Sequence, residues 1–448
     1  MNIYAQRRAA LLKQMQAQGG GVAIIQTAPE VMRNADADYP YRHDSYFYYL
    51  TGFTEPEATL VLVANAKEQS ILFCRDKNLE REIWDGYRFG PAAAKEQFGF
   101  DAAHAIDTID TVLPQLMANA PALFYALASD AKLDARIQGW LNAVRAQVRA
   151  GVSAPSVAID VRLMLNEMRL IKDADEIAIM QRAADISAEA HARAMRIARP
   201  GLREYHLEAE LLHEFRSHGS QYPAYGSIVA TGANTCVLHY RAGDAELRDG
   251  DLVLIDAGCE LDSYASDITR AFPVNGKFSG PQKTLYEIVL ASQYAAIAST
   301  KAGMLFTDGH DAAVKILAQG MLDTGLLDKN KVGTLDDVIA NGDFRQFYMH
   351  RTGHWLGMDV HDVGEYRDPA HSGADKPWRK LQSGMVVTVE PGIYVRPAEG
   401  VPEAYWNIGI RIEDDALVTD EGCVILSRNA PKTVAEIEAV MCETLARG

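Results

Sequence analysis

Residues 252–270 read Leu252-Val-Leu-Ile-Asp256-Ala-Gly258-Cys-Glu-Leu-Asp-Ser-Tyr264-Ala-Ser-Asp267-Ile-Thr-Arg270. The aliphatic run predicts a buried strand over 252–256 that delivers the carboxylate of Asp256 at its end. Ser266-Asp267 then offers a second carboxylate as another strand, 268–274, begins. Two strands joined by a short loop would bring both acids together. Taken alone, the segment also has a plain structural reading, in which Asp256 caps a strand and Asp267 pairs with Arg270.

Two later segments repeat the device. Gly384-Met-Val-Val-Thr-Val-Glu390-Pro-Gly392 gives a turn, a strand over 385–390 and a terminal glutamate, with Val386, Thr388 and Glu390 on one face by period-2 alternation. A glutamate ending an apolar strand is costly to bury unless it is paired or metal-bound. Gly409-Ile410-Arg411-Ile412-Glu413-Asp414 places Ile410 and Ile412 on the core face and Arg411 with Glu413 on the other, where a simple Arg411–Glu413 ion pair is the plainer alternative. Between them, His350-Arg-Thr-Gly-His354-Trp-Leu-Gly-Met-Asp-Val-His361-Asp362 crowds three histidines beside glycines that permit close backbone approach. His350 and His354 are four apart, but Gly353 argues against a regular helix, so this is not read as a helical zinc motif.

Asp256, Asp267, His354, Glu390 and Glu413 form a hard, oxygen-rich donor set. It suits Mn²⁺ or another divalent first-row ion better than a thiolate-rich structural zinc site would. Four carboxylates suffice for two ions about 3.5–4 Å apart, an arrangement that generates a hydroxide nucleophile and clamps the oxygens of a tetrahedral intermediate. The chemistry implied is hydrolytic.

A length of 448 residues exceeds what one hydrophobic core usually serves, so two domains are expected. The first third alternates β-like runs (22–25, 59–64, 70–74) with helix-like segments (79–84, 131–150), the pattern of an α/β domain. A boundary falls at 169–173. There Asp173 caps a helix with Glu176 at its third position, followed by Ile177, Met180, Ala183 and Ala184 at helical spacing. The domains are therefore expected at 1–172 and 173–448. The capped helix should stop at Pro200-Gly201, with further helices at 204–218, 282–300 and 307–324 among the strands of an α+β second domain with a substantial antiparallel sheet.

Composition excludes several classes. A net charge of −16 repels phosphate backbones and anionic lipids, so neither nucleic acid nor membrane is an expected partner. The five cysteines (Cys74, Cys236, Cys259, Cys423, Cys442) are odd in number and scattered, which fits a reducing compartment. Residues 1–18 carry Arg7, Arg8 and Lys13 among their apolar residues, an amphipathic helix rather than a signal peptide. No apolar run approaches the roughly 18–20 residues that cross a bilayer, which leaves the cytoplasm as the expected location.

The ordered set Asp256, Asp267, His354, Glu390, Glu413 resembles that of the pita-bread metallopeptidases, which include methionine aminopeptidase, prolidase and aminopeptidase P. His239-Tyr240, the 256–270 stretch, the 354–364 stretch and Glu390-Pro-Gly-Ile-Tyr394 are similar to the bacterial aminopeptidase P family. So is the amino-terminal Tyr39-Pro-Tyr-Arg-His-Asp-Ser-Tyr-Phe-Tyr-Tyr-Leu-Thr-Gly-Phe-Thr-Glu-Pro-Glu57, and the resemblance thus spans nearly the whole chain. It implies an α/β amino-terminal domain followed by an α+β pita-bread catalytic domain with a curved, largely antiparallel sheet. It also implies release of the first residue from peptides with proline in second position, by attack of a hydroxide bridging two ions, Mn²⁺ first and Zn²⁺, Co²⁺ or Fe²⁺ as substitutes.

By the same resemblance Asp267 and Glu413 bridge the ions, Asp256 serves one, and His354 with Glu390 serves the other. Glu390 would handle the hydroxide proton, as base and then as acid toward the proline nitrogen. His361 would donate to the developing oxyanion. His239, His350, Tyr394 and Arg411 would line the cleft, with His350 and Arg411 counted in the catalytic group. Asp36 and Trp84 match positions that shape the cleft, Trp84 from a neighbouring subunit; their plainer readings are an exposed loop acid and a core aromatic. A homotetramer or dimer is implied. Arg351-Thr-Gly353 departs from relatives, which often place glycine directly after the first histidine. The alternatives are a prolidase acting on Xaa-Pro dipeptides and a metal-free binding protein on the same fold.

Overall fold

The computed structural model describes residues 2–65, 67–241 and 243–445. The chain divides into two compact units, Met1–Met168 and Arg169–Gly448.

The aliphatic runs of the first unit assemble into a six-stranded sheet, in the order Ala102–Ala105, Gln69–Cys74, Thr59–Ala64, Gly21–Gln26, Ala122–Tyr125, Val157–Asp160. The central pairs are antiparallel and the outer ones parallel. Val22, Ile24, Val61, Val63, Ile71 and Phe73 pack on Leu113, Met117, Ile137, Trp140 and Val144. Near-continuous apolar runs are what strands covered on both faces require, and the unit is α/β. The helix expected over 131–150 stops at Arg145, with a short 3-10 turn at Val148–Ala150.

The amino-terminal helix is Ile3–Ala17; Met1 lies outside the described residues. Its Arg7 and Arg8 turn inward instead of toward solvent. Arg7 donates to the Tyr49 carbonyl (3.4 Å) and Arg8 to that of Leu50 (3.0 Å). Both carbonyls lie near the carboxyl end of the helix Ser45–Thr51, where the last carbonyls lack intrahelical partners and favour a cation.

The second unit opens with the expected cap. The Asp173 side chain accepts from the backbone N–H groups of Asp175 and Glu176, and Glu176 accepts from the N–H of Asp173. The helix Ala174–Ile197 ends three residues before the Pro200-Gly201 pair. All strand pairing in this unit is antiparallel, in short sheets: Ile228–Thr231 with Leu252–Asp256 and Thr269–Pro273; Val386–Val389 with Asp414–Val418 and Cys423–Ile425; Gly392–Val395 with Ile408–Arg411. The two strands expected to end in glutamates thus stop one and two residues short of Glu390 and Glu413. Helices Gly280–Ala298 and Asp308–Asp323 contribute Leu285, Val289, Leu317 and Met321 to a core that includes Val253, Ile255, Phe272, Ile410 and Ile412. Among the described residues no helix is long and apolar enough to cross a membrane.

The connection between Asp256 and Asp267 is not the short loop that the sequence suggests. A small hairpin, Cys259–Leu261 with Tyr264–Ala265, is inserted there, turning through Asp262 (φ 48°) and Ser263 (φ 71°). Two successive positive φ values define the tight turn whose twist suits a hairpin. At its base the backbone closes so tightly that a Cβ on Gly258 would lie 1.7 Å from the Ser266 carbonyl oxygen. Gly258→Ala is therefore expected to destabilise the protein by about 2 kcal/mol or more, measured by urea unfolding; a midpoint within error of wild type would contradict this account of the hairpin base.

Candidate metal centre

Strand ends and the segments just beyond them converge on one buried cluster in the second unit. Asp256 closes its strand, and the register opposite Thr269 brings back the chain that carries Asp267. Backbone hydrogen bonds hold the other donors: Glu413 N–H to the Thr269 carbonyl (3.0 Å), Glu390 N–H to that of Thr352 (2.8 Å), and Thr388 N–H to that of His354 (2.9 Å). His354 N–H donates in turn to Thr388 Oγ1 (3.1 Å). The 350–362 segment has no helix, as Gly353 foretold, and the Thr388 carbonyl lies 2.0 Å from where a Cβ on Gly353 would stand, so the close approach requires glycine there.

One donor atom each from Asp267, His354 and Glu413 lie within 4.8 Å of one another. His354 Nε2 is 3.4 Å from Asp267 Oδ2 and 3.7 Å from Glu390 Oε1. Asp256 joins through Tyr225, whose hydroxyl contacts Asp256 Oδ1 (2.6 Å) and also Asp267 Oδ1. All five expected ligands are thus brought together.

The electrostatics explain what such a cluster needs. Burial, then the charge of Asp256, raises the Asp267 carboxyl above its ordinary range. Burial and the neighbouring carboxylates push Glu413 well above it. Burial raises Glu390 to about 7, against the pull of His354 and Arg411. Burial opposes the charge on His354, yet its bond to Asp267 and the field of Glu390 raise it to about 9. Asp415, fully buried behind Asp267, is also pushed well up by burial and by Asp267, and its Oδ1 has no hydrogen-bond partner among the described residues. Tyr225 has one hydroxyl hydrogen for two carboxylates. The cluster therefore needs added positive charge, and its oxygen-rich donor set with one imidazole fits divalent first-row ions.

Two plainer readings of the sequence are overturned. Arg411 pairs with Asp256 (2.6 Å), not Glu413, and also donates to Thr269 Oγ1 and Tyr394 Oη (both 3.0 Å). Glu413 instead accepts from Thr269 Oγ1 (2.5 Å). Arg270 pairs with Asp414 (2.7 Å), not Asp267, since alternation along the strand turns it away from Thr269.

The remaining histidines surround the cluster. His350 donates from Nδ1 to the Arg351 carbonyl (2.7 Å), so its Nε2 accepts from Tyr394 Oη (2.9 Å); burial and Arg411 lower it to about 4. The His361 ring stacks on His354, with centroids 3.8 Å apart and planes 10° apart. Partial burial of the ring and the charge of His354 hold His361 near 4, a neutral ring. Exposed His239 lies within electrostatic reach of both His350 and His361. Asp36 and Trp84 belong to the first unit. Asp36 is exposed in the turn before Ala37–Asp38, and Trp84, 82% exposed on the helix Leu79–Asp85, is not a core aromatic.

Sequence reasoning missed Tyr225, Thr269 and Asp415. Tyr225 stands alone in a loop without periodic signal. Asp415 was detectable, because Glu413-Asp414-Asp415 is an acid run that continues directly from an apolar strand.

This geometry agrees with comparison to known proteins. Residues 178–420 match metallopeptidase family M24 and residues 4–125 match the aminopeptidase P N-terminal domain. The chain belongs to metallopeptidase family M24, and its second unit has the pita-bread fold. Its relatives include the Xaa-Pro aminopeptidase of Escherichia coli K12, 46% identical over 98% of this chain and 97% of that one. The structure of Pseudomonas aeruginosa aminopeptidase PepP superposes with a TM-score of 0.94 at 48% identity, covering 99% of this chain and 98% of that one. Zinc-substituted E. coli aminopeptidase P in complex with product does so with a TM-score of 0.93 at 45% identity and the same coverage.

A carboxyl raised in the folded state binds more protons folded than unfolded, so its contribution is complete below its unfolded value and is lost as pH climbs through the folded one. For Glu390 that window runs from its ordinary value of 4.5 to about 7. In chelator-treated protein, the thermal midpoint of wild type relative to Glu390→Gln is expected to fall across this window, and added divalent ion should offset the loss. Calorimetry at stepped pH reads both effects; a difference that stays flat would contradict the burial of an ionising Glu390.

Proposed function

We propose that this chain is a metal-dependent aminopeptidase that removes the first residue from peptides with proline in second position. The observation that carries the reading is the joining of Asp256, Asp267, His354, Glu390 and Glu413 in one buried, negatively overloaded cluster. Full-length similarity to Xaa-Pro aminopeptidases supports it. These five side chains would hold two divalent ions, Mn²⁺ in the first instance, with Zn²⁺, Co²⁺ or Fe²⁺ able to substitute. Such ions supply an acidified water as nucleophile and polarise the scissile carbonyl.

The chain's own groups do the rest. Glu390 handles the proton, taking it from the attacking water and passing it to the proline nitrogen. The neutral His361 ring donates its N–H to the carbonyl oxygen as charge develops there. His239, His350 and Tyr394 line the cleft, and Arg411 fixes Tyr394, which fixes His350. Proline has no amide hydrogen and a fixed φ, so rings can select it without a hydrogen bond from it. Residues 1–172 form the amino-terminal α/β domain and 173–448 the catalytic domain, in a cytoplasmic homotetramer or dimer.

A Mn²⁺-loaded preparation is expected to hydrolyse an Xaa-Pro-Yaa tripeptide at least about tenfold faster than an Xaa-Pro dipeptide, measured as kcat/KM. The reverse preference would make the chain a prolidase. Glu413→Ala should abolish both metal uptake and hydrolysis, and retention of both would refute the assigned ligand set.

A further inference from the structure

Asp256 and Asp267 hang from backbone that a single helix grips. Ser187 and His191 stand four residues apart on the helix Ala174–Ile197, hence on one face. Both are fully buried. His191 Nε2 lies 3.0 Å from the carbonyl oxygen of Ala257, the residue after Asp256. A carbonyl only accepts, so Nε2 carries the hydrogen. The Ala257 N–H donates onward to the carbonyl of Ile268, the residue after Asp267 (3.0 Å). One turn earlier, Ser187 Oγ is 2.7 Å from Ser266 Oγ, next to Asp267 on its other side, and both hydroxyls accept from the Cys259 N–H (2.9 and 3.2 Å).

Apart from Ser187, the neighbouring buried positions of this helix are apolar: Ala184, Ala188, Ala190, Ala192, Ala194 and Met195. An imidazole among them leaves its Nδ1 without a hydrogen-bond partner among the described residues. A buried polar atom left unmet is costly, and an aliphatic side chain would avoid that cost. What the imidazole provides that leucine cannot is the Nε2 hydrogen bond to the chain between the two aspartates. Burial keeps the ring neutral, near 4, and the Ala257 carbonyl selects the tautomer with its hydrogen on Nε2.

We propose that His191, assisted by Ser187, is a positioning residue that fixes Asp256 relative to Asp267 and thereby sets the affinity of the site for divalent ions. This rests on the metal-ligand assignment made above. Partners that orient ligands without touching the metal typically change affinity by about 10–100-fold when removed.

The test is calorimetric titration of Mn²⁺ into the metal-depleted full-length protein, for wild type, His191→Leu, His191→Gln and Ser187→Ala, with urea unfolding of each metal-free variant. His191→Leu should bind Mn²⁺ about 10–100-fold more weakly, with KM for a proline-containing tripeptide at saturating Mn²⁺ unchanged. His191→Gln, whose amide nitrogen can replace Nε2, should recover most of the affinity, an outcome that a merely space-filling role would not give. Ser187→Ala should weaken binding in the same direction and provides the reading if His191→Leu fails to fold. Wild-type affinity in the folded His191→Leu variant, or equal weakening in the leucine and glutamine variants, would overturn the inference. Failure of wild type itself to bind Mn²⁺ would instead overturn the metal assignment, and the inference with it.

Discussion

Like charges buried side by side are the constraint on which the second unit depends. Two unit charges 4 Å apart still interact by about 4 kcal/mol at the effective dielectric of a protein site, and Asp256, Asp267, Glu390, Glu413 and Asp415 face one another with Arg411 and His354 opposing them. The fold accommodates this by holding the donors through their backbones. Glu413 and Glu390 are pinned by their N–H groups, and the Asp267 N–H donates to Asp415 Oδ2 (3.2 Å). The backbone thus fixes these donors independently of the contacts their carboxylates make, among them the Arg411 pair of Asp256 and the Thr269 bond of Glu413.

Asp414 and Asp415 show how finely the two needs are separated. Adjacent residues on a strand point to opposite faces. Asp414 meets Arg270 (2.7 Å) and Lys432 (2.6 Å), and although burial opposes its charge these cations hold its carboxyl below the ordinary range. Asp415 meets Asp267 and moves the other way. One face is therefore a closed, neutralised ion cluster and the other an open one. The closed side buttresses the open side, because Arg270 also donates to the Glu413 carbonyl (2.5 Å) and so fixes the backbone of a proposed ligand.

The division between what sequence did and did not reveal follows from the range of each interaction. Local patterns were legible: the Asp173 cap, the apolar strands leading to Asp256, Glu390 and Glu413, and the non-helical path of His350 to His354. Partners chosen by tertiary packing were not. Periodicity places Arg411 on the same face as Glu413, but its strand pairs with Gly392–Val395 and not with the Asp256 strand, so only the packing of one sheet on another decides that Asp256 receives the guanidinium. The hairpin between Asp256 and Asp267 was hidden for a related reason, since Cys259–Leu261 and Tyr264–Ala265 are too short to carry a strand signal. Tyr225 bridges two carboxylates from a loop, and no spacing rule reaches it.

His361 extends the same physics to a group that no strand holds. It is exposed on a segment without regular structure, yet its ring lies parallel to His354. The next residue, Asp362, is buried against Arg169 (2.7 Å) and Lys172 (2.9 Å), and its N–H donates to the Trp355 carbonyl (2.9 Å). Burial opposes the charge of Asp362, but the two cations outweigh it and hold the carboxyl below its ordinary range. A buried ion pair contributes little net stability, but removing one partner strands a charge at a cost of about 3–5 kcal/mol. That asymmetry makes the pair a good anchor, because displacing Asp362 is expensive even when forming the pair gained little. Gly357 completes the fit, since a Cβ there would lie 2.1 Å from Asp362 Oδ2. The imidazole beside the anchor thus keeps a defined position while its ring stays open to solvent, which suits the role proposed for it as a donor to an incoming carbonyl oxygen.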